Sequence, residues 1–536
     1  MTGQSVKFIT RQTAREQSLS VSPARDRVRA KHSMMAAFRS GPTRQERAAR
    51  TSVILVRTLG PLLCLLSFIA GCKVGPNLRP YHDPLGPWHA FHEADFSMQE
   101  DDQQQWWLNF DDAHLHRLIH QVAHENLSLQ EAAERIQEAR ARVGIARSGK
   151  FPQLTHQTSV TRIDISDNGN PAGISGFPFP PFDLWSTGFN VAWEVDLFGR
   201  VQRITEAACA DLRATAEARN ALQVSLVGDA AALYVGLRVL DERIEQALEN
   251  IAIQEQTLAI TQGRFAAGAI SALDVAQAEA QLNTTRASVP TLQRERELIL
   301  NRLSILRGEQ PRGLLDIADH SGTIPEVSEP IIVGIPHDLV RRRPDVRAAE
   351  QQVVAAAARI GVATAELYPS LSLTGVFALD SKNASNLFES ESFNMRVGPA
   401  LRWNILSFGR IWSGIEAAES AYRQAQLRYR QTVLEAVGEV EDAMVSLHHN
   451  REIANHLAEA VASARTGVEL ATKQYEAGAI PFQAVLESQR QLTQITDAWI
   501  VARGNIAISA IRLYKALGGG WHSPSARSVT SPSQPL

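Results

Sequence analysis

The chain lacks most of what an enzyme or a disulfide-stapled secreted protein needs. Its 536 residues include three cysteines, six methionines and only 6% aromatics. Two of the cysteines, Cys64 and Cys72, sit near the start, so a disulfide framework is excluded and Cys209 reads as a small packing residue on a helix. No His-Glu-x-x-His, Gly-x-Ser-x-Gly or Cys-x-x-Cys constellation occurs, and no enzymatic activity is expected. No apolar run reaches the roughly 20 residues of a membrane-spanning helix. The shortage of methionine leaves out the Met-rich tracts that metal export would use. Few aromatics beside long stretches of Ala, Leu, Gln, Arg and Glu argue for extended helix over several globular cores.

The net charge is −3, unevenly spread. Residues 1–57 hold twelve Lys/Arg against three Asp/Glu, a net of +9, which leaves −12 for the remainder. A mildly acidic body excludes nucleic acid as a partner. The basic stretch leads into an apolar run, Thr58 to Ala70, too short to span a bilayer but suited to a signal-peptide core. Residues 1–71 are therefore expected to be a cleaved signal region, with Met34 or Met35 as alternative starts. The run ends Ile69-Ala70-Gly71-Cys72, two small residues before a cysteine, as lipoprotein processing requires. A covalent lipid on Cys72 is expected, and no other cofactor. Lys73 stands where an Asp would be an inner-membrane retention signal, so delivery to the outer membrane is the default.

The organising feature is an internal duplication. Trp193 to Arg200 (WEVDLFGR) recurs at Trp403 to Arg410 (WNILSFGR), an offset of 210. The same offset relates Val227-Gly228-Asp229 to Val437-Gly438-Glu439, and Phe265 to Ile270 to Tyr475 to Ile480. Upstream, Ala141 to Pro152 matches Ala358 to Pro369 with an offset of 217. The first copy's extra residues therefore lie between Pro152 and Trp193. Two large repeats predict a pseudo-symmetric protomer. Each copy reads helix, strand, loop, strand, long helix, Gly turn, helix.

Strands are predicted by alternation at about 153–164, 184–197, 370–379 and 393–406. Phe189, Val191, Trp193, Val195 and Leu197 fall on one face, Asn190, Glu194 and Asp196 on the other. Long helices are predicted over 199–262 and 410–475, returning helices over 271–307 and 482–517. Leu226, Leu233, Leu240 and Ala247, with Ala230, Leu237, Ile244, Ile251 and Leu258, keep a seven-residue beat; Val440, Leu447, Ala454, Val461 and Val468 repeat it. That is coiled-coil seam spacing. Repeat 1 spans 113–308 and repeat 2 spans 336–518. Residues 72–112 form the lipid-anchored N-terminal segment, 309–335 an equatorial linker, and 519–536 a disordered tail. Four strands cannot close a membrane barrel, which needs at least eight, and lipid tolerates no open edge. Strands are therefore expected to be pooled across subunits, polar faces lining water, with helices extending away as a tube.

Several segments resemble the TolC-like outer-membrane efflux lipoproteins of the NodT type. They are Cys72-Lys-Val-Gly75-Pro76, Trp106-Trp107-Leu-Asn-Phe110-Asp111, Arg342-Arg343-Pro344-Asp345, the Tyr368-Pro369 step into a strand and both Phe-Gly-Arg turns. The resemblance runs from about 72 to 518. It implies a mainly α fold with a membrane β-barrel contribution: a homotrimer with a shared twelve-stranded barrel, a twelve-helix periplasmic tunnel and an equatorial belt. It implies docking to a periplasmic adaptor (membrane fusion) protein and an inner-membrane pump of the resistance–nodulation–division type, RND. The resemblance also implies that the turns at Gly268 and Gly478 form the periplasmic tip. There Asp274 and Tyr475 match gate positions, where a carboxylate–phenol–guanidinium network could hold helices closed. The second tip departs, with Ala484 in place of the acid and Ile480 at a spot often polar, so its closure is expected to be more apolar. The competing reading of Asp274 is a carboxylate that serves the start of its own helix.

Other constellations carry less. Gly144 to Lys150 fits a phosphate-loop spacing, yet Phe151 replaces the magnesium-binding hydroxyl and the segment runs from helix to strand, the reverse order. His116, His120 and His124 share one helical stripe and are the metal candidates; a solvated stripe is the plainer reading, since the outer two lie ~12 Å apart along the axis. Two alternative functions remain: the outer channel of a type I protein secretion system, and a periplasmic coiled-coil tether anchored by lipid. The second leaves the alternating strands unexplained.

Overall fold

The computed structural model describes residues 73–77, 103–165, 180–313, 317, 322–327 and 342–521. The expected signal region and Cys72 lie outside the described residues. Helices α1 (Ala113–Glu125) and α2 (Leu127–Ser148) lead into strands β1 (Gln153–Ile163) and β2 (Phe182–Val195). The long helix α3 (Arg200–Ala266) and the returning helix α4 (Ala272–Leu306) complete the first repeat. The second repeat follows with α5 (Pro344–Ala365), β3 (Ser370–Ser381), β4 (Phe393–Arg402), α6 (Arg410–Glu476) and α7 (Phe482–Ala516).

The heptads do what their spacing demands. α3 and α6 are 67 residues each, about 100 Å long at 1.5 Å per residue. Leu240 and Ala247 pack with Val289 and Leu292 of α4, flanked by Ile244 and Ile251. Leu226 and Leu233 border the main core, which also buries Ala230, Leu237, Val440, Met444 and Leu447. Ion pairs stitch the hairpins and their junction: Arg286–Glu255 and Arg296–Asp241 join α4 to α3, and Arg243–Asp497 joins α3 to α7.

That core sits midway along the long helices and is built partly by the segment before α1. Trp106 is 2% exposed and stacks on Tyr514 of α7, with centroids 5.3 Å apart. Asn109 donates to the Tyr514 hydroxyl, and Tyr234 of α3 donates to Asp112, which also caps α1. The Arg-Arg-Pro-Asp segment has a similar role on the other side. Pro344 starts α5, while buried Arg343 pairs with Asp345 and Glu439 and donates to the Ala516 carbonyl at the end of α7.

Some boundaries differ from the sequence reading. β2 begins and ends two residues early, and β4 stops at Arg402, four short of the predicted end. Residues 403–406 keep the alternation but have no partner strand among the described residues, so no ladder defines them. The sequence predicts a disordered tail from 519; the structure corrects its first three residues, and 522–536 lie outside the described residues. Gly520 accepts a hydrogen bond from Gln223, and Trp521 is buried beneath the Arg347 guanidinium, 5.1 Å from its ring centroid. A large aromatic with a cationic lid outweighs the flexibility of three preceding glycines. In the linker, Ile317 and Ile324 are buried in the main core.

Candidate functional site

Three features stand out: a two-faced sheet, a paired helical tip and an N-terminal strap. The sheet is antiparallel in the order β1-β2-β3-β4. Its register puts Phe189 opposite His156 and Phe377, Trp193 opposite Leu373, and Phe377 opposite Met395. Leu154, Val191, Val397 and Leu401 share that face, which is apolar and largely exposed, Leu401 at 68%. Opposite residues on the other face are Thr155 and Asn190, Ser159 and Ser186, Ser186 and Asp380, Arg396 and Val376. Asp380 binds this polar face together, accepting from Ser186 at 2.6 Å and Asn394 at 2.8 Å. One side suits hydrocarbon and the other suits water. Among the described residues β1 and β4 are edge strands, each with one side unpaired.

At the tip, Gly268 (φ +72°) and Gly478 (φ +74°) turn the chain between the helices of each hairpin. Gly268 N–H donates to Phe265 O and Ala269 N–H to Arg264 O; Gly478 and Ala479 repeat the pattern on Tyr475 and Gln474. Both are Schellman caps, which need a left-handed residue that only glycine adopts cheaply. Of the two residues expected in the gate, Tyr475 meets a guanidinium and Asp274 does not. The Arg264 guanidinium lies 4.5 Å from the Tyr475 ring centroid and donates to the carbonyls of Tyr475 and Glu476, tying the end of α3 to the end of α6. Asp274 joins neither; its carboxylate accepts from the backbone N–H and the hydroxyl of Ser271 at the start of α4. Within one chain it therefore serves its own helix. In the second hairpin, where the acid is missing, Phe482 is buried beside Tyr475, Val485, Leu486 and Ala471, with Ile480 packed against them.

The strap is residues 73–77, immediately after Cys72. Val74 N–H donates to Phe198 O at the strand–helix junction. Arg203, 1% exposed, donates to the carbonyls of Val74 and Gly75 and to the Asn77 side chain. Glu206 pairs with Lys73 at 2.6 Å and with Arg203. Burial opposes its charge, but those two cations hold its carboxyl below the usual carboxylate range. A Cβ on Gly75 would lie 2.5 Å from the Gly361 Cα, so strap and α5 meet backbone to backbone.

The histidine stripe does not converge. His116 Nε2 is 2.9 Å from the Trp107 carbonyl, while the His120 and His124 rings lie tilted to each other on the exposed face, 4.4 Å between centroids. Gly144 to Lys150 forms the end of α2 and the turn after it. Sequence reading missed Arg203 and Arg264, which look like ordinary helix-end cations. It also passed over His448, His449 and Glu452 of α6, whose ligand atoms lie within 4.8 Å of one another. Their spacing of one, three and four positions was the available signal.

The sequence profile of the family described as Outer membrane efflux protein matches residues 118–309 and 335–519. The chain is 30% identical over 463 residues to Nodulation protein T of Rhizobium leguminosarum bv. viciae, covering 86% of this chain and 93% of that one. It is 28% identical over 435 residues to the Toluene efflux pump outer membrane protein TtgF of Pseudomonas putida, covering 81% and 89% respectively. The solved structure of the outer-membrane channel OprN superposes with a TM-score of 0.79 at 30% identity, covering 84% of this chain and all of that one. With profile, relatives and fold in agreement, this chain belongs to the outer membrane efflux protein family.

Proposed function

We propose that three copies of this chain close a twelve-stranded barrel in the outer membrane, continued by a twelve-helix tunnel, which passes small solutes delivered by an RND-type inner-membrane pump through a periplasmic adaptor. The two-faced sheet with unpaired outer edges carries this reading. Hydrocarbon leaves no room for unpaired N–H and C=O groups, so β1 and β4 need partners. The duplication supplies the template. β2 and β3 join the two repeats within a chain, pairing Val191 with Gly375. Shifted by 210 and 217 residues, the same junction pairs Leu401 of β4 with the neighbouring copy's Thr158. Phe198 stacks on Tyr368 at that internal junction, 4.7 Å between centroids. Its counterparts, Phe408 and Phe151, are 91% and 65% exposed and would stack between copies.

The lipid on Cys72 belongs to the same proposal. The strap holds the residues after Cys72 at the base of the sheet, where an acyl chain would enter the membrane's inner leaflet. The paired tip is the proposed gate: Arg264 and Tyr475 hold the hairpin ends together, Asp274 secures the start of α4, and the glycines shape the turns. A small-molecule cargo is favoured over a secreted protein because relatives carry the names of toluene and other efflux pumps. In planar bilayers, the purified protein should give discrete, ohmic conductance steps. A lipid-anchored tether would give none.

A further inference from the structure

The middle of α6 presents a cluster that neither the channel nor its gate uses. His449 Nδ1 lies 2.9 Å from Glu452 Oε2, and His448 Nε2 lies 3.8 Å from Glu452 Oε1. The intervals of three and four residues put both imidazoles beside one carboxylate. Two nitrogens and one oxygen, with a fourth position open to water, are a donor set that zinc accepts. Ligand atoms around a tetrahedral zinc, each about 2.0–2.2 Å from it, stand roughly 3.3–3.5 Å apart. Their ligand atoms lie within 4.8 Å of one another, so side-chain rotations would bring them to that spacing. Among the described residues this is the one such cluster.

The duplication provides an internal comparison. Glu452 corresponds to Glu242 at the offset of 210. Glu242 accepts from Arg503 at 3.0 Å and from the Ile324 backbone N–H at 2.9 Å, a structural tie to α7 and the linker. The positions of His448 and His449 are held in the first repeat by Arg238 and Val239. Arg238 is fully buried and pairs with Asp241. One repeat thus carries a permanent cation and an aliphatic group where the other carries two imidazoles, and Glu452 faces them instead of a guanidinium. Structural packing alone does not call for that exchange, since Glu452 and His449 are exposed.

We propose that His448, His449 and Glu452 form a binding site for a borderline divalent transition-metal ion, zinc foremost, at one ion per chain. The site is open on one side, so the ion exchanges with the surrounding solution. Its existence is independent of the channel reading.

The test is isothermal titration of untagged, chelator-stripped, detergent-purified full-length protein with Zn²⁺. One ion per chain is expected. Glu452→Gln and the pair His448→Ala/His449→Ala should each weaken binding roughly tenfold or more, as loss of metal-site groups does. His120→Ala/His124→Ala should leave it unchanged. Replacement by Co²⁺ should give the intense visible absorption of a tetrahedral ion in the wild type and lose it in the double variant. His449 and Glu452 are exposed and His448 is only half-buried, so circular dichroism should be unaltered. Absence of binding in the wild type, or the same isotherm in the His448/His449 variant, would overturn the assignment.

Discussion

Single residues here do positioning work, and the strap shows it best. Arg203 satisfies three acceptors of a segment that has no secondary structure of its own, and Gly75 is the only residue type that fits against Gly361. Gly75→Ala should therefore release the strap while leaving the helices folded: trypsin cleavage at Lys73 would accelerate with little change in melting temperature, and an unchanged rate would remove the strap from the anchoring account. Acid should act at the same place. A carboxyl depressed in the fold contributes stability that is full above its unfolded pKa of about 4.3 and is lost as pH falls through the folded value. Glu206 is such a group, so pepsin cleavage around residues 73–77 should rise below about pH 4 and should not rise in Glu206→Gln. At the tip, Arg264→Ala should raise unitary conductance more than Asp274→Ala, because Arg264 bridges two helices while Asp274 bonds only within its own. The reverse order would return the gate to Asp274.

At the scale of elements, the long helices were legible because heptad spacing is a local signal that tertiary packing then obeys. Leu240, Ala247, Val289 and Leu292 meet as a seam requires. The glycine turns were legible for the same reason, and their cost can be measured. Gly478→Ala places a Cβ in the left-handed region with no neighbour within 4 Å, so the penalty is backbone strain of about 1–2 kcal/mol. Hydrogen exchange should quicken around Ala477 to Ile480 and stay slow near Leu447; uniform protection would contradict the cap. Other features were hidden because their partners lie far off in sequence. Trp521 needs Arg347, and Tyr475 needs Arg264. The end of β4 was overestimated because alternation continues to Ile405 although pairing within the chain does not.

At the scale of the molecule, the duplication explains most of what one chain leaves incomplete. Inside the chain, the junction between repeats is filled by β2 on β3, by Phe198 on Tyr368 and by Arg243 on Asp497. At the other end of each repeat the equivalent strands are edges, and the equivalent aromatics, Phe408 and Phe151, face outward. In the proposed trimer, three copies would turn the internal junction into a repeating one and would leave no edge in lipid. The central claim is that β4 of one copy meets β1 of the next, and thiol cross-linking tests it directly. In a Cys209→Ser background, Phe151→Cys and Phe408→Cys in one chain, treated in the membrane with a short bis-maleimide, should give a covalent ladder that ends at three chains, with neither single-cysteine variant doing so. Monomer alone, or a ladder that runs past three, would contradict a closed barrel shared by three copies.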